Sequence, residues 1–457
     1  MEFLERPGER TADHIDRLAR HAVRAELWAK ALDYCRQAGA RAFARSAHRA
    51  AVEWFEQALA ALQHLPQTPE STAAAVDLRL DLRYSLSPLG EFSAMQSHLQ
   101  EAERLATAAG DRRRLGLVSA FLTNFHTVMI DLDLATDYGR RAVAIGDDIG
   151  DLPVQVLANT FLGLARFGLG DYGQAMELAR RNVGRLEGDL VRERFGMAML
   201  PAVYSRTVLV WCLAERGEFD EGIAVGTDAI HIAEAAEHPF SIVFARLGLG
   251  TLLLRRGDHP GAIGELEAGL AVCRSAETRG GFLNVAAALI SSYVLAGRTD
   301  DAHRLLQEAV DHAVAMGDPF GHWLRTGGLA EIHLASGRAA DALPLARRGH
   351  QLTQFVRSRG VEAWALRLVG EVEASQASPL VTAAQATYRQ ALARAEELGM
   401  RPLQGRCRLG LGLVHRTAGR PEEAEAELRA AAETFRTLAM PYWLARAEAE
   451  LITRPSR

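Results

Sequence analysis

Apolar positions in this chain recur at helical spacing and are interrupted at regular intervals by short turns. One apolar helix is predicted from Phe282 to Gly297, where a glycine suits a left-handed helix end. A second helix starts at Thr299 or Asp300, and either side chain can cap it. The apolar face of this helix carries Ala302, Leu305, Leu306, Ala309 and Val310. The stretch is therefore predicted to be a helical hairpin that ends by Pro319, because proline cannot continue a helix.

The hairpin recurs along the chain at a nearly constant step. Turns of the form Gly-x-x-x-x-Ala begin at Gly170, Gly257, Gly297, Gly337 and Gly419, with looser copies at Gly90, Ile130 and Gly217. The intervals are 40 residues, except for one of 47 and one of 82, which is two steps of 41. A fixed period of this length predicts stacked helical hairpins. Such an array is expected to offer a long concave surface and no single closed pocket.

Two columns of small residues accompany the turns. The sixth turn position holds Ala135, Ala175, Ala262, Ala302, Ala342 and Ala424, with Gly222 replacing alanine once. Seven residues before the turn glycine lie Gly163, Gly250, Ala330 and Gly412. A larger side chain at the sixth position would hold the two helices of a hairpin apart.

These columns resemble the tetratricopeptide repeat, in which Leu-Gly, a turn glycine and Ala recur in register. The resemblance covers roughly residues 75 to 440, although the standard unit has about 34 residues. It implies an all-α, right-handed superhelical solenoid of about ten TPR-like hairpins with a period of about 40 residues.

The period is interrupted twice. The interval from Gly170 to Gly217 holds seven extra residues, which are either a functional insertion or a longer connection. The longer connection is favoured because loops tolerate insertion at little cost. Near Ser378 the turn glycine is missing, and Ala383 falls where the small residue is expected. We interpret this segment as a degenerate repeat with a longer turn.

The ends of the chain differ from the repeats. Residues 1–66 form a helical segment that resembles the junction between a signal-transduction ATPase of the P-loop type and helical repeats in large bacterial regulators. In some of these proteins a class III nucleotide cyclase precedes the ATPase, and in others a DNA-binding domain is attached. Residues 67–440 are predicted to be the repeat array, and 441–457 a capping helix and tail. The resemblance implies a regulatory arm of such a protein, either freestanding or cut from a longer chain.

Charge and composition exclude several functions. The net charge is −5, which argues against nucleic-acid binding as the main role. Lys30 is the only lysine and has no glycine near it, so no P-loop is present. No apolar run reaches the roughly 18 residues of a membrane span, and no secretory signal is recognisable. We therefore expect a cytoplasmic protein without a membrane partner.

No catalytic constellation is recognisable in the sequence. The cysteines Cys35, Cys212, Cys273 and Cys407 lie far apart in helical patterns, as buried core residues do. His126, His333 and His415 share one register, which is typical of packing residues. No His-Glu-x-x-His or Gly-x-Ser-x-Gly motif occurs. We predict no enzyme activity, no catalytic residue, no metal site and no cofactor.

The concave face is the remaining candidate site. In the resembled repeat the first helix of each hairpin lines the inner surface. The inward positions then include Tyr204, Trp211, Phe244, Thr251, Asn284, Ser291 and Glu331, and also Arg406. Aromatic and polar side chains on such a surface can bind a peptide. We predict a scaffold for a protein or peptide partner, with a small effector in the groove as the alternative.

Overall fold

The computed structural model describes residues 11–45, 47–87, 89–275, 279–316, 320–355 and 357–452, and these residues form α-helices, one 3-10 turn and no strand. The first part of the array contains α1 (Thr11–Arg24), α2 (Trp28–Ala44), α3 (His48–Gln63), α4 (Pro69–Leu86), α5 (Phe92–Ala108), α6 (Arg112–Val128), α7 (Leu132–Ile149), α8 (Leu152–Leu169) and α9 (Tyr172–Val183). After a 3-10 turn at Gly188–Arg192 follow α10 (Pro201–Arg216), α11 (Phe219–Ala235), α12 (Pro239–Arg256), α13 (His259–Ser275), α14 (Arg279–Leu295), α15 (Thr299–Met316), α16 (Phe320–Ala335), α17 (Ala339–Phe355), α18 (Arg359–Ala374), α19 (Val381–Glu397), α20 (Arg401–Thr417), α21 (Pro421–Thr437) and α22 (Pro441–Ile452). The predicted all-α array of hairpins is confirmed.

The turns have the backbone conformation that the glycines indicate. Gly257 ends α12 with φ +94°, a conformation that costs little only without a Cβ atom. The other turn glycines, Gly90, Gly170, Gly217, Gly297, Gly337 and Gly419, are also left-handed. Ile130 adopts φ +64° in the looser copy, so that turn keeps its geometry at a conformational cost.

The small-residue columns lie where the helices of a hairpin cross. The alanine at the crossing of α14 and α15, Ala302, is fully buried. A Cβ atom added to Gly222 would lie 2.1 Å from Leu252 Cδ1, and one added to Gly412 would lie 2.7 Å from Leu428 Cγ. These crossings therefore have no room for a larger residue.

Replacing Ala302 by leucine is expected to lower the free energy of unfolding by roughly 1–3 kcal/mol, because the added atoms overpack the crossing. His303→Leu is the matched control, since residue 303 is exposed on the same helix. Urea unfolding of both variants measures the difference. Equal losses of stability would mean that the assigned register of α15 is wrong.

The two interruptions of the period are both longer connections. Between α9 and α10 the chain forms an irregular segment with the 3-10 turn, and it buries Leu186 and Met197. Between α18 and α19 the connection spans residues 375–380. The predicted position of the small residue there is wrong by one. Ala384 is fully buried at the crossing, whereas Ala383 is half-buried, because the longer turn moves the start of α19.

The chain divides into two compact units. Unit 1 contains Met1–His126 and Asp137–Ala158, and unit 2 contains Thr127–Thr136 and Asn159–Arg457. In unit 1, the Arg83 guanidinium carbon lies 3.8 Å from the Tyr84 ring centre and 3.2 Å from that of Phe121. Arg114 also binds both carboxylate oxygens of Asp77 at 2.9 Å. Cation–π contacts and ion pairs thus link neighbouring helices in this unit.

Unit 2 closes on itself, unlike the open surface that the period predicts. A Cβ atom on Gly257 would lie 2.8 Å from the Trp443 ring, and one on Gly217 would lie 3.0 Å from Leu438. Arg256 Nε donates a hydrogen bond to the Ala439 carbonyl at 3.2 Å. The turns of the early hairpins therefore pack against the final ones. Contacts in this unit are not limited to adjacent repeats, as they are in an open solenoid.

Helix α8 is, among the described helices, the one long and apolar enough to cross a membrane by length and composition. The sequence-based expectation that no such segment exists is corrected in this respect. However, 61% of the helix is buried inside the protein, including Val154, Leu157 and Phe161. A helix that is apolar on most sides and covered by its neighbours has the pattern of a core helix.

Candidate binding groove

The first helices of successive hairpins form the inner layer of unit 2. Helices α10, α12, α14, α16, α18 and α20 each contact the next member of this set, and α10 also contacts α20. The second helices pack outside them, between successive first helices. We call the inner surface enclosed by these first helices and α22 the groove. Side chains on the inner faces of α10 to α20 are the candidates for binding.

Two of the predicted residues form an aromatic contact on adjacent inner helices. The rings of Tyr204 and Phe244 meet edge to face with centroids 5.7 Å apart, and Phe240 contacts Phe244 in the same way at 5.1 Å. Burial raises the pKa of Tyr204 well above its usual range. Tyr204 is 9% exposed and Phe244 8%. This pair offers little free surface to a ligand.

The other predicted residues differ in their surroundings. Trp211 is half-buried, lies 5.7 Å from the Phe167 ring and packs against the core of unit 2. Thr251 is half-buried on α12, and Asn284 is exposed on α14. The structure brings the last two predicted residues together: Ser291 Oγ donates a hydrogen bond to Glu331 Oε2 at 2.6 Å, which links α14 to α16.

A buried carboxylate that the sequence analysis missed connects distant helices. Glu215 on α10 accepts a hydrogen bond from Arg255 Nε on α12 at 3.0 Å. It also accepts one from Trp364 Nε1 on α18 at 2.9 Å. The side chain of Glu215 is only 8% exposed. Because α10 and α18 are separated by several hairpins, this carboxylate joins two sides of the groove.

Arginines surround the Trp364 ring. The guanidinium carbons of Arg255, Arg406 and Arg367 lie 3.9, 5.6 and 5.8 Å from its centre. These distances fall within the range of cation–π attraction. We call Glu215, Arg255, Trp364, Arg367, Glu371, Arg406 and Trp443 the arginine–tryptophan cluster.

Arg367 and Glu371, both members of the cluster, form an ion pair within α18. Arg367 is 8% exposed and donates a hydrogen bond to Glu371, one helical turn further along α18. Burial by itself disfavours both charges, but Glu371 raises the pKa of Arg367 overall. In turn, burial opposes the charge of Glu371, but Arg367 and then Arg406 hold its pKa below the usual range. Both groups therefore stay charged inside the groove.

Part of this cluster could have been predicted from the 40-residue period of the sequence. Trp364 stands in the same register as Tyr204, Phe244 and Asn284, and Glu371 stands 40 residues after Glu331. Continuing the first column by two repeats beyond Asn284 and the second by one repeat beyond Glu331 would have included both. No such column points to Trp443, which lies on the last helix beyond the array.

Features of catalytic or metal sites are sparse in the part of the chain that the structure describes. No three His, Cys, Asp or Glu side chains there converge to hold a metal ion. The four cysteines are buried and form no disulfide bond with one another. Burial raises the pKa of the Cys35 thiol to about 11 and that of Cys407 to about 12. Such thiols are not poised as nucleophiles.

Comparison with known proteins agrees with the repeat architecture. The tetratricopeptide repeat family model matches residues 381–439, which span α19 to α21. No curated protein sequence is detectably similar to the chain. A solved Rap protein complexed with competence and sporulation factor is 13% identical over 89% of this chain and 98% of its own, with a TM-score of 0.50. The apo form of RapI is 11% identical over 86% and 99%, with a TM-score of 0.46.

The fold and the family-model match define the class. The chain has a TPR-like helical repeat fold. The candidate site is the groove of unit 2, where the inner face carries tryptophan, arginine and glutamate side chains.

Proposed function

We propose that this protein is a non-catalytic regulatory scaffold that binds a peptide segment of a partner in the groove of unit 2. The observation that carries the proposal is the arginine–tryptophan cluster on the inner helices. Tryptophan, tyrosine and arginine dominate binding hot spots, because they combine contact area with directed hydrogen bonds. Ser291 and Glu331 add polar groups that can bind the amides of an extended chain.

A comparison supports the same function. The Rap protein that shares the fold is complexed with competence and sporulation factor. Closure of unit 2 offers a way to couple binding to regulation, since a ligand that favours one degree of closure shifts the population of that state. We propose that the protein acts in the cytoplasm as the arm of a bacterial signalling ATPase, a cyclase or a transcription regulator.

Selection from a randomised peptide library tests the proposal, with the purified chain as bait. Peptides that bind the native chain are expected to lose about 2 kcal/mol of binding free energy with Trp364→Ala, because the ring lies in the cluster. The same loss is expected for Trp211→Ala, which lies on the inner helix α10. Trp28→Ala in unit 1, where Trp28 stacks on His64, is the matched control. Fluorescence anisotropy on folded protein measures all three.

Three outcomes of this experiment are informative. Failure to select any binding peptide would contradict peptide recognition. Equal losses in all three tryptophan variants would mean that the groove is not the binding surface. If Trp211→Ala lowers the melting temperature by many degrees and leaves affinity unchanged, Trp211 is a core residue and only Trp364 marks the groove.

A small effector is the second candidate, and the closure of unit 2 favours it. The contact between α10 and α20 brings inner helices together, so the groove can surround a compact molecule. Thermal-shift measurements with sugars and nucleotides distinguish the candidates, because a ligand that binds only the folded state raises the melting temperature. Stabilisation by such a compound without peptide binding would favour the effector.

A further inference from the structure

Arg406 differs from Arg255 and Arg367, the other arginines of the cluster, in its hydrogen bonds. Its guanidinium carbon lies 4.0 Å from the Trp443 ring centre and 5.6 Å from that of Trp364. The side chain is surrounded by protein but keeps access to solvent, as expected inside a groove. Among the described residues, no carboxylate or carbonyl accepts a hydrogen bond from Arg406. By contrast, Arg255 binds Glu215 and Arg367 binds Glu371.

The electrostatics of the groove agree with this geometry. Burial and then the nearby Arg367 guanidinium lower the pKa of Arg406 to about 9. Glu371 and Glu331 act in the opposite direction but do not balance these effects. A partly desolvated cation without a hydrogen-bonded anion is costly, and such a cost is relieved when an anion binds.

The aromatic surroundings orient the guanidinium for recognition. Contacts with two indole rings restrain the planar group by cation–π attraction and leave its N–H donors for a ligand. A planar guanidinium matches a carboxylate through two parallel hydrogen bonds. A dianion is less suitable, because Glu371 and Glu331 lie within electrostatic reach of the same position.

We propose that Arg406 binds a carboxylate of the ligand, so that the groove recognises a peptide by an acidic side chain or by its free C-terminus. Trp364 and Trp443 position the guanidinium, and the ligand's carboxylate supplies the acceptors that the protein does not. This inference rests on the proposed peptide-binding function and names the chemical group that the groove selects.

The test uses peptides selected against the full chain, each synthesised in three forms. One form is the parent, one has a C-terminal amide, and one has Asp and Glu replaced by Asn and Gln. Losing the recognised carboxylate is expected to weaken binding to the native protein about 10- to 100-fold, the range for a charge-assisted hydrogen bond. The form that loses affinity identifies whether the carboxylate is terminal or in a side chain.

Arg406→Gln is expected to bind all three forms with similar, weak affinity. Arg408→Gln is the matched control, because Arg408 lies on the same helix and pairs with Glu396 and Glu427 outside the cluster. It is expected to keep the full discrimination between peptide forms. Arg406→Gln should also keep or raise the melting temperature, since it removes a partly desolvated cation that has no hydrogen-bonded anion.

Several results would overturn the inference. One is that amidation or neutralisation of a tightly binding peptide weakens its binding equally in the native protein and in Arg406→Gln. That result would refute the inference and leave the proposed peptide binding intact. So would a large fall in melting temperature for Arg406→Gln with unchanged discrimination, which would indicate a structural role. Absence of any binding peptide would refute the proposed function and this inference together.

Discussion

Replacing Glu215 by alanine is expected to lower the free energy of unfolding by about 3–5 kcal/mol, the range for removing one partner of a buried ion pair. The change leaves the Arg255 guanidinium without its carboxylate and the Trp364 indole N–H without its acceptor. The Trp364 contact joins α10 to α18 across the groove, and the Arg255 contact joins the adjacent inner helices α10 and α12, so the loss is expected to loosen unit 2. Chemical denaturation followed by circular dichroism measures the change.

Glu218→Ala is the control for this prediction. Glu218 follows on the same stretch of chain and pairs with Arg216, but both side chains are more than a third exposed. Exposed ion pairs contribute about 0–1 kcal/mol, so the control should stay near native stability. Because a buried pair can be replaced by apolar residues, the double variant Glu215→Leu, Arg255→Met should recover part of the loss. A single variant Glu215→Ala as stable as Glu218→Ala would contradict the cross-groove role.

Replacing Trp443 by alanine is expected to cost about 3–5 kcal/mol of unfolding free energy, as for other buried aromatic side chains. Trp443 is 2% exposed and packs against Phe435 and against the turn at Gly257. The large cavity would open the contact between α22 and the α12–α13 hairpin. Hydrogen exchange at the Gly257 turn should therefore rise along with the loss of stability.

Hydrogen exchange at the Gly257 turn distinguishes loss of the contact that closes unit 2 from a general loss of stability. Glu448→Ala on the same helix removes an exposed pair with Arg436 and should change neither stability nor exchange appreciably. If Trp443→Ala lowered stability while exchange at Gly257 stayed native, the closing contact would not depend on this ring.

The local architecture was largely predictable. The turn glycines adopt the left-handed conformation that their position after an apolar helix indicates, and Ala302 lies at a helix crossing as its column predicts. Each of these features is encoded within one hairpin by residues close in sequence. The one-residue error at Ala383 arose because the six-residue connection before α19 has no glycine to mark its end.

The groove was predictable only in part. The inward columns named both Ser291 and Glu331, which are one repeat apart, but only the structure shows that the two side chains form a hydrogen bond. They placed Tyr204 and Phe244 as candidate binding residues, whereas these side chains pack mostly against each other. The predicted inward positions left out Trp364, Glu371 and Glu215, so Arg406 was the one member of the cluster among them.

By itself, the sequence determined the helices, the hairpins, their period and the small residues at their crossings, because these depend on neighbours within one or two repeats. Only the tertiary structure decided that unit 2 closes and that Glu215 meets Trp364, 149 residues away in the chain. Such a contact depends on the rotation from each hairpin to the next, summed over several repeats. A small difference in each step changes which inner residues meet, and no local pattern encodes that sum.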